Sequence, residues 1–412
     1  MNFLKKNILV KKDILSSTLV NVVGLVLGFI QGVIVANYLG AEGKGVIAFY
    51  LSLYGIIFSI SNLGIKQSAA FYLPKGLVSF IELKILYGTA LIFGIFILFV
   101  SFLIQKLFLD SFFFILLMTL PFSIYTSIFS SIALSKRDIT SINLIRLLTS
   151  ISVFILVFFC FYVYEFKSIE LFFVIHLVSH ILNSLFVYFR IVLPNINNIF
   201  YNNKVSKDKI LRVFKKGITY CIPLFIYSIN YKIDLLILPH YVSNSEVGVY
   251  SIGVGFAEMI WQIPSVLSLV IFSYAVSEND SHSFSKKIWS NTKKLMLVLI
   301  PIILVYLIVL HFFIPFAYGK EFIMSSKISN ILILGTYFVV CFNILNADLA
   351  GRGFPMKGVY VFAIGAIINI LLNFILIPYF GIEGSALSST ISYIISTILF
   401  IHIYYKNTFK IK

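Results

Sequence analysis

Two apolar segments, Ile14 to Tyr38 and Val46 to Leu63, are separated only by Leu39-Gly40-Ala41-Glu42-Gly43-Lys44-Gly45. A helix rises about 1.5 Å per residue and the hydrocarbon of a bilayer is about 30 Å thick, so roughly 20 apolar residues make one crossing. Each arm is long enough for that. Glycine accepts left-handed backbone without steric cost, and a polar turn is not tolerated inside lipid. The stretch therefore predicts a helical hairpin whose turn lies at a membrane surface.

The same pattern of apolar windows and polar breaks continues to the end of the chain. It predicts twelve spans, at 14–38, 46–64, 85–105, 111–134, 141–164, 169–189, 217–239, 248–277, 295–317, 328–349, 358–380 and 385–405. Composition agrees: 60% of the residues are hydrophobic and 12% are charged, where soluble domains carry about a quarter charged. Cys160, Cys221 and Cys341 each sit inside an apolar run, so neither a disulfide framework nor a metal site is expected. The basic N-terminus leads into a span too long for a signal-peptide core and is kept as the first membrane helix.

Charge decides orientation. Lys and Arg outnumber Asp and Glu by 32 to 16, for a net charge of +16. In a soluble protein this would suggest nucleic acid, but here the basic residues cluster on one side of the predicted spans. That side holds Lys5, Lys6, Lys11 and Lys12, then Lys66, Lys75 and Lys84, then Lys136 and Arg137, and the Arg190 to Lys216 connection. It also holds Lys286, Lys287, Lys293 and Lys294, then Arg352 and Lys357, and the tail. The other side has only Lys44, Lys106, Lys167, Lys320 and Lys327. By the positive-inside rule, both termini are cytoplasmic. The outer loops are all short, which argues against a glycan polymerase or ligase.

The long connection Arg190 to Lys216 follows the sixth span and divides the chain into two six-helix bundles, 1–200 and 201–412; Lys204 to Lys216 is expected to form an amphipathic helix at the surface. Placing Tyr38 on Tyr241 aligns YLGAEGKGVIA with YVSNSEVGVYS without gaps and puts Gly45 on Gly248. A second register places Leu134 to Asp138 on Leu349 to Gly353. Six spans return the chain to its starting side, so the bundles are expected to be parallel repeats with the substrate path between them.

Several stretches resemble the bacterial polysaccharide flippases, of O-antigen and capsule type, within the multidrug/oligosaccharidyl-lipid/polysaccharide exporter superfamily. These are ANYLGAEGKGVIAFYLSL and SNLGIKQSAAFYLPKG near the start, YKIDLLIL in span seven, FAYGKEFIMSSKISNILILG after span nine, and NFILIPYFGIEGSALSSTIS between spans eleven and twelve. The outer turn after span seven departs from that family, with His240 to Asn244 in place of its glycine. The resemblance implies an inner-membrane, lipopolysaccharide-type flippase. It would carry an undecaprenyl-diphosphate-linked oligosaccharide from the cytoplasmic to the periplasmic leaflet by rocking two bundles, with no cofactor. Its partners would be that lipid-linked oligosaccharide, membrane lipids, a polysaccharide polymerase and other assembly proteins. Related members couple to an ion gradient, either proton or sodium.

Charge inside a span costs roughly 2.5–3.5 kcal/mol and calls for a cavity or a partner. Arg146 in span five can grip a diphosphate bidentately or snorkel to lipid headgroups. Lys232 and Asp234 in span seven are two residues apart, so they point to nearly opposite sides of the helix and do not face each other. Lys232 is a candidate for pyrophosphate or an acidic sugar, and Asp234 for an ion or a structural pairing. Glu258 lies near the middle of span eight and is a candidate proton or sodium carrier, or a neutral packing residue. Lys66, Arg137 and Arg352 at the inner mouth either gather the diphosphate or only orient the chain.

His176 and His180 share a face with metal-like spacing, but interhelical hydrogen bonding suits them better. Asn369 with Asn373, and Asn343 with Asn346, form polar strips of the kind that hold helices together. Prolines 223, 264, 301 and 378 mark kinks in the spans. No phosphate-cradling glycine loop, catalytic carboxylate pair or activated nucleophile is visible, so the chain reads as a transporter rather than an enzyme. Three readings follow: a lipid-linked oligosaccharide flippase, an ion-coupled drug exporter of the same fold, and a non-transporting scaffold of a polysaccharide assembly complex.

Overall fold

The computed structural model describes residues 2–75, 78–108, 113–136, 138–195, 206–261 and 280–409, together with 267–268, 270–272 and 274–275. Among them the regular structure is helical throughout, as the sequence predicts for an all-α membrane protein. The helices are α1 (Asn2–Ser61), α2 (Ile65–Tyr72), α3 (Phe80–Phe108), α4 (Phe113–Leu117), α5 (Leu120–Ser135), α6 (Ile139–Val157) and α7 (Ile169–Val187). After the long connection come α8 (Lys207–Ile237), α9 (Asn244–Glu258), α10 (Ser281–Tyr318), α11 (Ile323–Gly351) and α12 (Pro355–Thr408).

Eight stretches of described helix are long and apolar enough to cross a membrane. Two of them, Leu15–Tyr72 and Met356–Thr408, have 58 and 53 residues, about twice or more what one crossing needs. Each contains a break where a glycine takes positive φ, Gly40 at 66° in α1 and Gly381 at 54° in α12. The expected seven-residue turn in the first hairpin is thus concentrated at Gly40, with the backbone helical again from Ala41. One left-handed residue suffices to end one helix and start the next.

The chain packs as two units. The first comprises Met1–Leu39 and Leu53–Phe225, the second Gly40–Ser52 and Ile226–Lys412. The boundary expected at 200/201 lies outside the described residues; the two packing units meet within α8 and within α1.

In the first unit, Ile65, Leu83, Leu86, Ile124, Ile128 and Val213 are buried in one core built on α2, α3, α5 and the start of α8. Lys207 to Lys216 forms the first turns of the continuous helix α8 rather than a separate surface-lying helix. The reason is local: Val213 is fully buried, and Ser68 of α2 donates a 2.7 Å hydrogen bond to its carbonyl. Polar pairs join the helices elsewhere, including Tyr54 with Ser123 at 2.6 Å and Asn62 to Ser127 at 2.9 Å.

In the second unit, α11 packs against α9, α10 and α12. Helix α9 begins in a capping box, where the Ser243 hydroxyl accepts from the Glu246 backbone N–H and the Glu246 carboxylate accepts from the Ser243 N–H. Two helix-starting donors are satisfied in this way, and the helix opens at Asn244, four residues before the expected span.

Candidate functional site

Sequence reasoning placed Lys232 and Asp234 in span seven and Glu258 near the middle of span eight; the structure puts the first two on α8 and Glu258 at the last residue of α9. The fold brings all three into one electrostatic neighbourhood of the second unit, since the charges of Lys232 and Asp234 both act on Glu258. Lys232 and Asp234 form no ion pair with each other, as their helical spacing predicts. Lys232 and Glu258 are half-buried, whereas Asp234 is 3% exposed.

Asp234 has a built surround. Its Oδ2 accepts a hydrogen bond from the Tyr250 hydroxyl of α9 and another, at 3.3 Å, from the Ser389 hydroxyl of α12. Its Oδ1 accepts from the Leu235 backbone N–H at 3.0 Å. The asparagines read as helix glue continue this network across Gly381. Asn369 donates to the Asn230 carbonyl at 3.3 Å and to Ser389 at 3.4 Å. Asn373 donates to the Asn369 Oδ1 at 2.6 Å, and Ser385 donates to the Asn373 Oδ1 at 2.7 Å. Asp234, Asn369, Asn373, Ser385 and Ser389 are all buried. A carboxylate set among hydroxyl and amide oxygens is the donor set that takes a proton or a hard monovalent cation.

Sequence reasoning missed Tyr250, Ser389 and Asn230, and also the aromatic residues beside them. The Tyr231 ring lies 4.4 Å from Trp261, 5.8 Å from Phe362 and 6.1 Å from Tyr393. These residues come from α8, from the turn after α9, and from both limbs of α12. In a chain with 24 tyrosines and 43 phenylalanines, no local pattern marks this group out.

In the first unit, Lys66 stands in the second position of α2, just past a left-handed Gly64, and Arg146 lies on α6. Arg146 is exposed and Lys66 half-buried. The Arg146 charge acts on Lys66, and no carboxylate among the described residues offsets it there. Four of the unit's carboxylates, Glu82, Asp138, Glu170 and Asp208, stand at helix starts.

The remaining candidates are placed differently. Arg137 and Pro264 lie outside the described residues. Arg352 is engaged in holding the second unit together. Its guanidinium donates to Ser285 at 3.1 Å, Thr408 at 3.0 Å and the Asn407 carbonyl at 3.0 Å, and lies 4.0 Å from Asp348. Asp348 in turn accepts from the Tyr404 hydroxyl at 2.5 Å. With these contacts made, Arg352 joins α10, α11 and α12 and is not a free phosphate donor. His180 bonds through Nδ1 to the His176 carbonyl at 2.9 Å, a contact within α7 rather than between helices.

These features describe a chain of long apolar helices, two of them broken at Gly40 and Gly381, with a buried polar network in the second unit. Two solved structures cover most of the chain. The lipid II flippase MurJ, in an inward closed conformation, is 16% identical with a TM-score of 0.74, covering 94% of this chain and 87% of that one. An inward-facing multidrug resistance MATE family transporter of the MOP superfamily is 15% identical with a TM-score of 0.75, covering 93% of this chain and 94% of that one. The chain therefore shares its fold with these two proteins, and it is a multi-pass membrane protein. A family model described as "Polysaccharide biosynthesis protein" matches residues 10–277. The chain belongs to that family.

Among curated proteins, the probable low-salt glycan biosynthesis flippase Agl15 of Haloferax volcanii is 26% identical over 188 residues, which is 43% of this chain. The match spans 38% of that relative's length. These relatives carry the names of flippases and transporters, not of enzymes.

Proposed function

We propose that this protein is a flippase that moves an undecaprenyl-diphosphate-linked oligosaccharide from the cytoplasmic to the outer leaflet of a bacterial inner membrane by alternating access. On this reading the chain crosses the membrane twelve times, keeps both termini in the cytoplasm, and serves O-antigen-type polysaccharide assembly. The observation that carries it is the proximity in charge of Lys66 and Arg146 in the first unit, two cations that no carboxylate among the described residues offsets. Like charges inside an apolar segment are costly unless an anion joins them. A diphosphate supplies that anion, and Arg can bind it through two parallel hydrogen bonds.

Coupling is assigned to Asp234. Its position among Tyr250, Ser389 and Asn369 lets a proton or sodium ion neutralise it and alter how α8, α9 and α12 pack. Glu258 adds a second carboxylate within electrostatic reach.

The fold is shared with drug exporters, and the charge of the site separates the two functions. A site for cationic drugs has no use for the two cations Lys66 and Arg146 of the first unit. The test is reconstitution into liposomes with undecaprenyl diphosphate bearing a short glycan, following its accessibility to an added glycosidase. The protein should equilibrate the lipid between leaflets faster than empty liposomes. Lys66→Ala with Arg146→Ala should slow this about tenfold or more, the loss expected for 1.5–3 kcal/mol of charge-assisted hydrogen bonding. Unchanged lipid movement together with extrusion of a cationic dye would refute the proposal in favour of drug export.

A further inference from the structure

We infer that the second unit carries a sugar-binding face built from Tyr231, Trp261 and Tyr393 with Asn230, Lys232 and Glu258, which reads the glycan of the substrate rather than its diphosphate. The inference rests on the flippase reading above and adds a subsite to it.

The rings come first. Tyr231 packs against Trp261 at 4.4 Å and 47°, and Tyr393 lies 6.1 Å from Tyr231 and 6.2 Å from Trp261. Tyr231 and Trp261 are half-buried, while Tyr393 is 5% exposed and backs them. An aromatic face carries partial negative charge. The axial C–H groups of a pyranose ring carry partial positive charge and stack on such a face.

The unpaired polar groups come second. Both amide atoms of Asn230, which is 1% exposed, are buried without a partner, and so is the Trp261 indole N–H. Buried amide and indole N–H groups are nearly always hydrogen-bonded, so each orphan calls for an explanation. Asn230 precedes Tyr231 on α8. A Cβ at Gly365 would stand 3.7 Å from its Nδ2 and 2.1 Å from the Ser396 hydroxyl, which is itself buried and unpaired. The Ser396 hydroxyl occupies the space where a Gly365 side chain would stand, so the glycine lets a second unpaired polar group sit close to Asn230. Hydroxyls serve as both donors and acceptors and can meet amide and indole together.

The charges come third. Lys232 and Glu258 lie within electrostatic reach of each other and offset. The face is therefore suited to a neutral ring. An organic cation could stack on the same aromatics, but an indole N–H and an offsetting lysine oppose it. A diphosphate would meet Glu258 and be repelled.

The experiment uses the full chain in lipid nanodiscs and two kinds of probe: undecaprenyl diphosphate alone, and the same lipid carrying a single glucose, galactose or N-acetylglucosamine. At least one glycosylated lipid should bind about tenfold more tightly than the bare lipid, and Trp261→Ala or Tyr231→Ala should collapse that preference. Trp261→Phe, which keeps a ring, should retain most of it. In a Trp289→Phe protein Trp261 is the remaining tryptophan, and its emission should shift with the glycosylated probe and not with the bare one. This reports on the face without disturbing it.

If the bare lipid binds but no sugar adds affinity and the Trp261 emission is unmoved, the sugar face is refuted while the flippase reading stands. If no lipid binds, both fall. If tetraphenylphosphonium shifts the Trp261 emission and the glycosylated lipids do not, the face is an organic-cation site and the inference is overturned.

Discussion

Gly45 and Gly248 meet backbone to backbone. A Cβ at Gly45 would lie 1.8 Å from the Asn244 carbonyl oxygen, and one at Gly248 would lie 2.0 Å from that of Ala41. The second helical segment of α1 and the start of α9 therefore approach as closely as two backbones can. These are also the two glycines that the ungapped register places on each other. Small residues at such crossings let membrane helices gain dispersion contacts where no hydrophobic force separates them from lipid.

Gly45→Ala and Gly248→Ala should each destabilise the protein. The added methyl meets backbone rather than a flexible side chain, so the helices must part. Overpacking costs about 1–3 kcal/mol, which for a chain of this size corresponds to a fall in melting temperature of about 1–4 °C. Thermal unfolding in detergent, followed by size-exclusion chromatography, checks this. Gly28→Ala, which meets nothing within 4 Å, should be nearly neutral.

Asp234→Asn keeps a hydrogen-bond acceptor for Tyr250 and Ser389 while removing the charge. The protein should fold with nearly unchanged melting temperature and lose coupling. Lipid translocation should fall about tenfold or more, and its dependence on an imposed proton or sodium gradient should vanish. A variant with full gradient-driven transport would remove Asp234 from the mechanism.

Asp138 gives a pH dependence of stability. Partial burial pushes its pKa up, but hydrogen bonds from the Ser141 hydroxyl at 2.6 Å and backbone N–H at 3.0 Å, with the charges of Arg190 and Lys136, more than reverse this. The folded value lies below the ordinary 3.8, so the unfolded chain binds the proton more readily. The carboxylate's contribution is fully present above that ordinary value and is lost as pH falls below it through the folded value. Asp138→Asn still caps α6 but does not ionise, so its melting temperature should fall less steeply than the parent's below about pH 4. Parallel curves would contradict this.

Arg352→Ala should loosen the second unit rather than affect substrate binding. It removes three hydrogen bonds and leaves the fully buried Asp348 without its cation. A loss of about 3 kcal/mol is expected, read as a lower melting temperature with undecaprenyl diphosphate affinity intact. Arg352→Lys should not restore it, because an ammonium cannot span Ser285, Thr408 and the Asn407 carbonyl at once.

The apolar windows and glycine breaks of the sequence determined that this chain is helical and built to cross a membrane, because backbone groups in lipid must be satisfied within each helix. Helical spacing also determined that Lys232 and Asp234 do not pair. The tertiary structure alone decided that both act on Glu258, that Tyr250 and Ser389 hold Asp234, and that Tyr231, Trp261 and Tyr393 stack. These contacts join residues far apart in the chain, and in a sequence this rich in serine and aromatics nothing local distinguishes the ones that meet. Arg352 shows the same limit from the other side. Charge and position left it as either a diphosphate ligand or a charge that only orients the chain, but the packing of α10, α11 and α12 supplied it with three acceptors of its own, and whether a cation is free or satisfied depends on neighbours that only the fold brings together.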